Sequence, residues 1–163
     1  MSVPYLSQVG GRGQRRHADP GLGGERYRLC VLCADIRGFT ERSEQAAPEA
    51  TIRLLNRYFS EVTACVHGAG GTLDKFIGDG VMAFFGAPQR LDNPCLPAMR
   101  VAREMLERLP RLNAALMQDG HAPIAIGIGV HAGDAVVGNM GSETRHNYTA
   151  IGDAVNVAFR LER

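Results

Sequence analysis

Apolar positions follow two different periods along this chain, and each change of period marks a new element. Residues 29–34 form a short, continuous apolar run, which predicts a strand buried on both faces. Over residues 48–67 the spacing lengthens. Ile52, Leu55, Phe59, Val62 and Val66 recur every three or four positions, predicting an amphipathic helix ended by Gly68, Gly70 and Gly71. Two β-rich runs then flank Gly78-Asp79-Gly80, and Asp-Gly between such runs predicts a hairpin whose turn needs positive φ. Residues 93–120 read as helix, with Pro94 near the first turn and Pro110 kinking or splitting it. Residues 123–131 and 135–140 are strand runs joined by Ala132-Gly133-Asp134, a second hairpin signal. Gly127 and Gly129 share one face of the first of these, where a helix or backbone is expected to approach closely. Residues 145–150 form a further strand and Gly152 opens a last helix. The order predicts an α+β fold, a mixed sheet with helices packed on it.

Composition narrows the class. With 163 residues, 45% hydrophobic and 21% charged, the chain suits one globular domain, and its net charge of +1 gives no field that would draw nucleic acid or an anionic membrane. No run is long enough for a membrane span and the amino terminus lacks the apolar core of a signal peptide, so the chain reads as cytoplasmic. Cys30, Cys33, Cys65 and Cys95 read as free core thiols, because residues three apart on a strand point to opposite faces. Residues 1–25, rich in glycine with Arg12, Arg15, Arg16 and His17, read as a disordered linker or tail, leaving residues 26–163 as the domain. His67 and His131 read as structural, neither having a second ligand at metal spacing.

Two carboxylates stand out. Asp79 occupies the predicted hairpin tip and Asp35 ends the apolar strand, and two rigidly held carboxylates suit a pair of Mg²⁺ ions on a polyphosphate. Each alone is more often an ordinary turn or capping residue.

Three segments decide between these readings. Asp35-Ile36-Arg37-Gly38-Phe39-Thr40, the run from Lys75 through Gly78-Asp79-Gly80 to Ala83, and the run from Tyr148 through Asn156 and Arg160 to Glu162 resemble, in order and spacing, the signature segments of class III nucleotidyl cyclases. The resemblance covers residues 27–163. It implies a ferredoxin-like, palm-like fold and conversion of ATP to 3′,5′-cyclic AMP and pyrophosphate. Asp35, Asp79 and the Ile36 carbonyl would hold two Mg²⁺ or Mn²⁺ ions, and the backbone of Gly38, Phe39 and Thr40 would meet the phosphates. Lys75 and Thr149 match the base-reading positions, with Lys as donor and Thr as acceptor suiting adenine; a guanylyl enzyme has Glu and Cys there. Asn156 and Arg160 match the pair that orients the ribose and stabilises the transition state. The family works as a homodimer, with the aspartates from one subunit and the Asn and Arg from the other, and its catalytic domain commonly follows a regulatory sensor domain.

The sequence departs from the family pattern in two places. It ends inside the last signature helix, so the carboxyl-terminal strands of the family domain and a phosphate-binding lysine are expected to be missing; an arginine often found before Gly-Val-His is replaced in Ile124-Ala125-Ile126-Gly127. The alternative expectation is therefore a weak or inactive cyclase-homology fragment that dimerises or binds nucleotide.

Overall fold

The computed structural model of the chain describes residues 23–142 and 144–163. Most of the expected amino-terminal tail, residues 1–22, lies outside the described residues, and Gly23 to Glu25 already belong to the first strand. The elements are β1 (Gly23–Ile36), α1 (Phe39–Gln45), α2 (Pro48–Gly68), β2 (Thr72–Ile77), β3 (Gly80–Phe85), α3 (Cys95–Gln118), β4 (Ile126–Ser142), β5 (Arg145–Ile151) and α4 (Asp153–Glu162). The strands lie in the order β2-β3-β1-β4-β5. Every neighbouring pair is antiparallel, so the α+β architecture holds while the sheet is not mixed in direction.

Alternation along β1 divides the core in two. Cys30, Leu32, Ala34 and Ile36 face α2 and α3, where they meet Leu54, Tyr58, Val62, Val101 and Leu116. Tyr27, Leu29, Val31 and Cys33 face the other way, against Met82, Phe84, Ala154 and Ala158 of β3 and α4. A strand covered on both faces cannot alternate with polar residues, which is why residues 29–34 read as one apolar run. Cys30 and Cys33 therefore lie on opposite faces, and all four cysteines are free.

Three expectations change in detail. The stripe of α2 is rotated by about one position: Leu54, Tyr58, Val62, Cys65 and Val66 are buried while Ile52 is 57% exposed, because the helix packs on α3 as well as on the sheet. Pro110 leaves α3 as one continuous helix. It is exposed, and so is Leu106, whose carbonyl loses its donor to the proline on the side where water replaces it. The second hairpin does not form. β4 runs straight through Ala132-Gly133-Asp134, with Leu29↔Gly133 in register against β1. Gly133 is there for space, since a Cβ on it would sit 2.9 Å from the Ala154 Cβ of α4.

The same close approach extends along the strand and bears out the expectation for Gly127 and Gly129. A Cβ at Gly129 would lie 2.2 Å from the Ala158 carbonyl oxygen and 2.4 Å from the Glu162 nitrogen, both main-chain atoms of α4. Backbone cannot swing aside as a flexible side chain can. Gly129→Ala is therefore expected to lever α4 off the sheet and cost about 1–3 kcal/mol or more in urea denaturation. Gly68→Ala, at a helix end with nothing within 4 Å of the added Cβ, should be neutral or slightly stabilising in the same measurement.

Candidate active site

At the end of β1 the two aspartates are held side by side. The register Ala34↔Val81 continues to the mouth of the β2–β3 hairpin, and the Ile36 N–H donates to Asp79 Oδ2 at 3.0 Å. The hairpin is present as expected, but its left-handed residue is Gly78, with φ 60°, and Asp79 keeps negative φ. Positive φ at the first central position alone is the II′ pattern, which follows the twist of the flanking strands. Gly38, with φ 65°, turns the chain out of β1 into α1, so that Phe39 and Thr40 contribute first-turn N–H groups that have no partner within the helix.

Asp35 lies between charges that the sequence did not announce. Arg37 Nη1 stands 3.4 Å from Asp35 Oδ1 and 3.0 Å from Glu162 Oε1, and a second Arg37 nitrogen donates to the Glu162 carbonyl. Glu162 is buried, at the foot of α4. Burial, followed by the adjacent Asp35 carboxylate, pushes its carboxyl up to about 7 despite the opposing Arg37 guanidinium. Its signal in the sequence was an acidic residue eight positions after Ala154 and four after Ala158, on the apolar face of the last helix.

The base-reading candidates are also brought together. Lys75 Nζ donates to Thr149 Oγ1 at 3.0 Å across 74 positions of sequence. Between them sits Asp74, missed by the sequence reading, whose side chain has no exposed surface. Thr149 Oγ1 donates to Asp74 Oδ2 at 2.6 Å, and the Ala150 N–H donates to the same oxygen at 3.2 Å. β2 and β5 are opposite edges of the sheet, so these bonds require it to curl, as does the 6.2 Å approach of the Phe84 and Tyr148 rings.

Asn156 and Arg160 share the outer face of α4 and are exposed, while Ala154, Ala158 and Glu162 turn inward. Among the described residues neither makes a side-chain hydrogen bond, and neither joins Asp35 or Asp79. One chain thus carries three separate groups.

The donor set at Asp35 and Asp79 fits a hard divalent cation. Among the described residues no three His, Cys, Asp or Glu side chains cluster as a metal cage, but Mg²⁺ characteristically takes one or two carboxylates and completes its shell with substrate phosphate and water. Two carboxylates at one sheet end beside the Ile36 main chain meet that need. Among the described residues no helix is long and apolar enough to cross a membrane.

Residues 25–163 match the family model described as the adenylate and guanylate cyclase catalytic domain. Adenylate cyclase of Anabaena cylindrica is 40% identical over 139 residues, covering 83% of this chain and 27% of that one. The crystal structure of the guanylyl cyclase Cya2 superposes with a TM-score of 0.84 at 39% identity, over 86% of this chain and 72% of that one. The adenylyl cyclase CyaB of P. aeruginosa gives 0.80 at 40% identity, over 86% and 74%. The chain spans about a quarter of the length of the curated relatives it matches.

The raised Glu162 carboxyl has a sign that can be checked. The folded chain holds this proton to higher pH than the unfolded chain, so stability falls as pH rises from about 4.5 to about 7 and then levels. Glu162→Gln removes the penalty. Between pH 5 and pH 8 in metal-free buffer, the unaltered protein should lose more thermal stability than the variant, by on the order of 1 kcal/mol or about 2–4 °C.

Proposed function

Because this chain belongs to the adenylate and guanylate cyclase catalytic domain family, we propose that it converts ATP to 3′,5′-cyclic AMP and pyrophosphate as a homodimer. Overall likeness does not choose the base, since an adenylyl and a guanylyl enzyme are similar to it at 40% and 39% identity. The observation that carries adenine is the contact of Lys75 Nζ with Thr149 Oγ1 at 3.0 Å. An ammonium donor beside a hydroxyl acceptor complements the ring nitrogen and exocyclic amino group of adenine, and guanine presents that edge reversed.

In this reading the ribose 3′-oxygen forms a bond to the α-phosphorus, the bond from that phosphorus to the α,β-bridging oxygen breaks, and the hydroxyl proton passes to solvent. Asp35, Asp79 and the Ile36 carbonyl would hold Mg²⁺ or Mn²⁺. Bound there, such ions lower the pKa of the attacking hydroxyl and neutralise charge on the leaving pyrophosphate. The remaining roles fall to the chain itself. N–H groups of Gly38, Phe39 and Thr40 point at phosphate oxygens from the opening turn of α1. Asn156 orients the ribose, and the Arg160 guanidinium opposes the charge that grows on the α-phosphoryl group.

The position of these groups supports the dimer. Asn156 and Arg160 project from the solvent side of α4, whereas Asp35 meets the sheet side of the same helix through Arg37 and Glu162. A second copy related by a two-fold axis supplies the outer pair to the aspartates of the first, giving two equivalent sites.

Asp35→Ala or Asp79→Ala should lower cyclic AMP formation from Mn²⁺-ATP by at least ~10³ with the circular dichroism spectrum unchanged. Retention of more than a tenth of the activity by either variant would remove the metal assignment. Asp79→Asn and Asn156→Ala, each inactive alone, should recover about a quarter of the unaltered rate when mixed, because random pairing makes half the dimers mixed and each has one whole site. No recovery, with dimers confirmed by sedimentation, places the whole site within one chain.

A further inference from the structure

A threonine hydroxyl can point its hydrogen either way, so by itself it recognises an amino group and a carbonyl about equally well. Thr149 lacks that freedom here. Lys75 is donor-only, and its Nζ approaches Thr149 Oγ1 at 3.0 Å, so the hydroxyl oxygen must accept from it. Asp74 Oδ2 lies 2.6 Å from the same hydroxyl and already accepts from the Ala150 N–H at 3.2 Å. The only hydrogen on Thr149 Oγ1 is thereby directed at Asp74, and what remains for any third group is one lone pair.

The local chain explains how two adjacent residues come to grip one hydroxyl. Successive side chains on a regular strand point to opposite faces. The β2–β3 pairing slips at this place, Leu73 lying opposite Ala83 and Lys75 opposite Met82, which leaves Asp74 as the extra residue of a bulge. A bulge re-aims side chains. Asp74 turns fully inward while Lys75 keeps 42% of its surface exposed, so the lysine is the outer and the aspartate the inner partner of Thr149. Among the described residues Asp74 Oδ1 is buried without a hydrogen-bond partner, with the Lys75 ammonium 3.5 Å away. A buried oxygen left in that condition is a costly feature for a strand to carry unless the carboxylate has a task that a smaller or apolar side chain could not perform.

We propose that Asp74 is a positioning residue for base choice: it orients the Thr149 hydroxyl so that the site accepts a hydrogen bond from a purine 6-amino group and repels a 6-oxo group. This rests on the assignment of Lys75 and Thr149 as the base-reading pair and names the residue that gives the pair its polarity. A 6-oxo purine brings lone pairs against the one lone pair left on Thr149. Without Asp74 the hydroxyl turns its hydrogen outward and serves that oxygen as readily as it serves an amino group.

The test compares ATP with GTP, both by equilibrium competition for binding in the presence of Mn²⁺ and by cyclic product formation, on four forms of the full chain: unaltered, Asp74→Ala, Thr149→Val, and the two combined. Asp74→Ala is expected to lower the preference for ATP by about tenfold or more, the scale of one misdirected hydrogen bond. Thr149→Val is expected to remove the hydroxyl's share of the preference, and adding Asp74→Ala to it should change the ratio no further. Asp74→Val, apolar and of similar size, takes the place of the alanine variant if that one does not fold. A purely structural role would weaken both nucleotides in proportion and leave the ratio where it was; that result, with ATP binding retained, overturns this inference alone. An unaltered chain that binds neither nucleotide overturns the base-reading assignment and this inference together.

Discussion

A strand covered on both faces leaves its neighbours almost no choice of register, and β1 imposes that condition on the whole domain. Its even-numbered residues complete the core under α2 and α3 and its odd-numbered residues complete the core under α4. A slip of one residue would exchange the two sets and bury each side chain in a space shaped for another. The register with β3 then fixes where β1 emerges into solvent. It emerges at Asp35, beside the tip of the neighbouring hairpin, so the two aspartates are aligned by hydrophobic packing several residues away from either.

Charge is handled in the same way at both polar centres. At each, a carboxylate shielded from solvent is met by one cation close by in the chain's fold: Arg37, just past the end of β1, for Glu162, and Lys75 of β2 for Asp74. Burial alone would favour the protonated acid, and an adjacent cation opposes it. Glu162 shows which effect wins when two carboxylates share one guanidinium, since its carboxyl is raised to about 7. Pairs of this kind add little net stability, because removing charge from water costs about what the pairing returns. What they fix is direction: the Arg37 guanidinium is aimed at Glu162, the Lys75 ammonium at Thr149 and the Thr149 hydroxyl at Asp74.

The features legible in the sequence were those whose cause is local. The first hairpin was readable because glycine and aspartate between β-rich runs set its turn without outside help, and α4 because its apolar spacing and its signature segment agree. Lys75, Thr149, Asp35 and Asp79 could be put forward as candidates because the family pattern carries them. Gly133 was misread because its reason is tertiary: it looks like a turn, yet its missing side chain makes room for Ala154 of α4. Asp74 and Glu162 were not visible as parts of the site because their partners lie 75 and 125 residues away, and no period along the chain reports such a contact. Asn156 and Arg160 show the converse. Their spacing is plain, but nothing among the described residues pairs with the amide and the guanidinium on that outer helix face.

The hydrogen bonds that Thr149 and Ala150 donate to Asp74 join the two margins of the sheet, strands that have three others between them. Margins are where a sheet opens first, since half of their backbone groups lack a ladder partner and little packing holds them. Here neither margin can fray without pulling on the other through one buried carboxylate. The groups that would read a nucleotide base are therefore mounted on the two least protected strands of the domain, already tied together, and a ligand seated between them would slow amide exchange at both borders at once rather than at one.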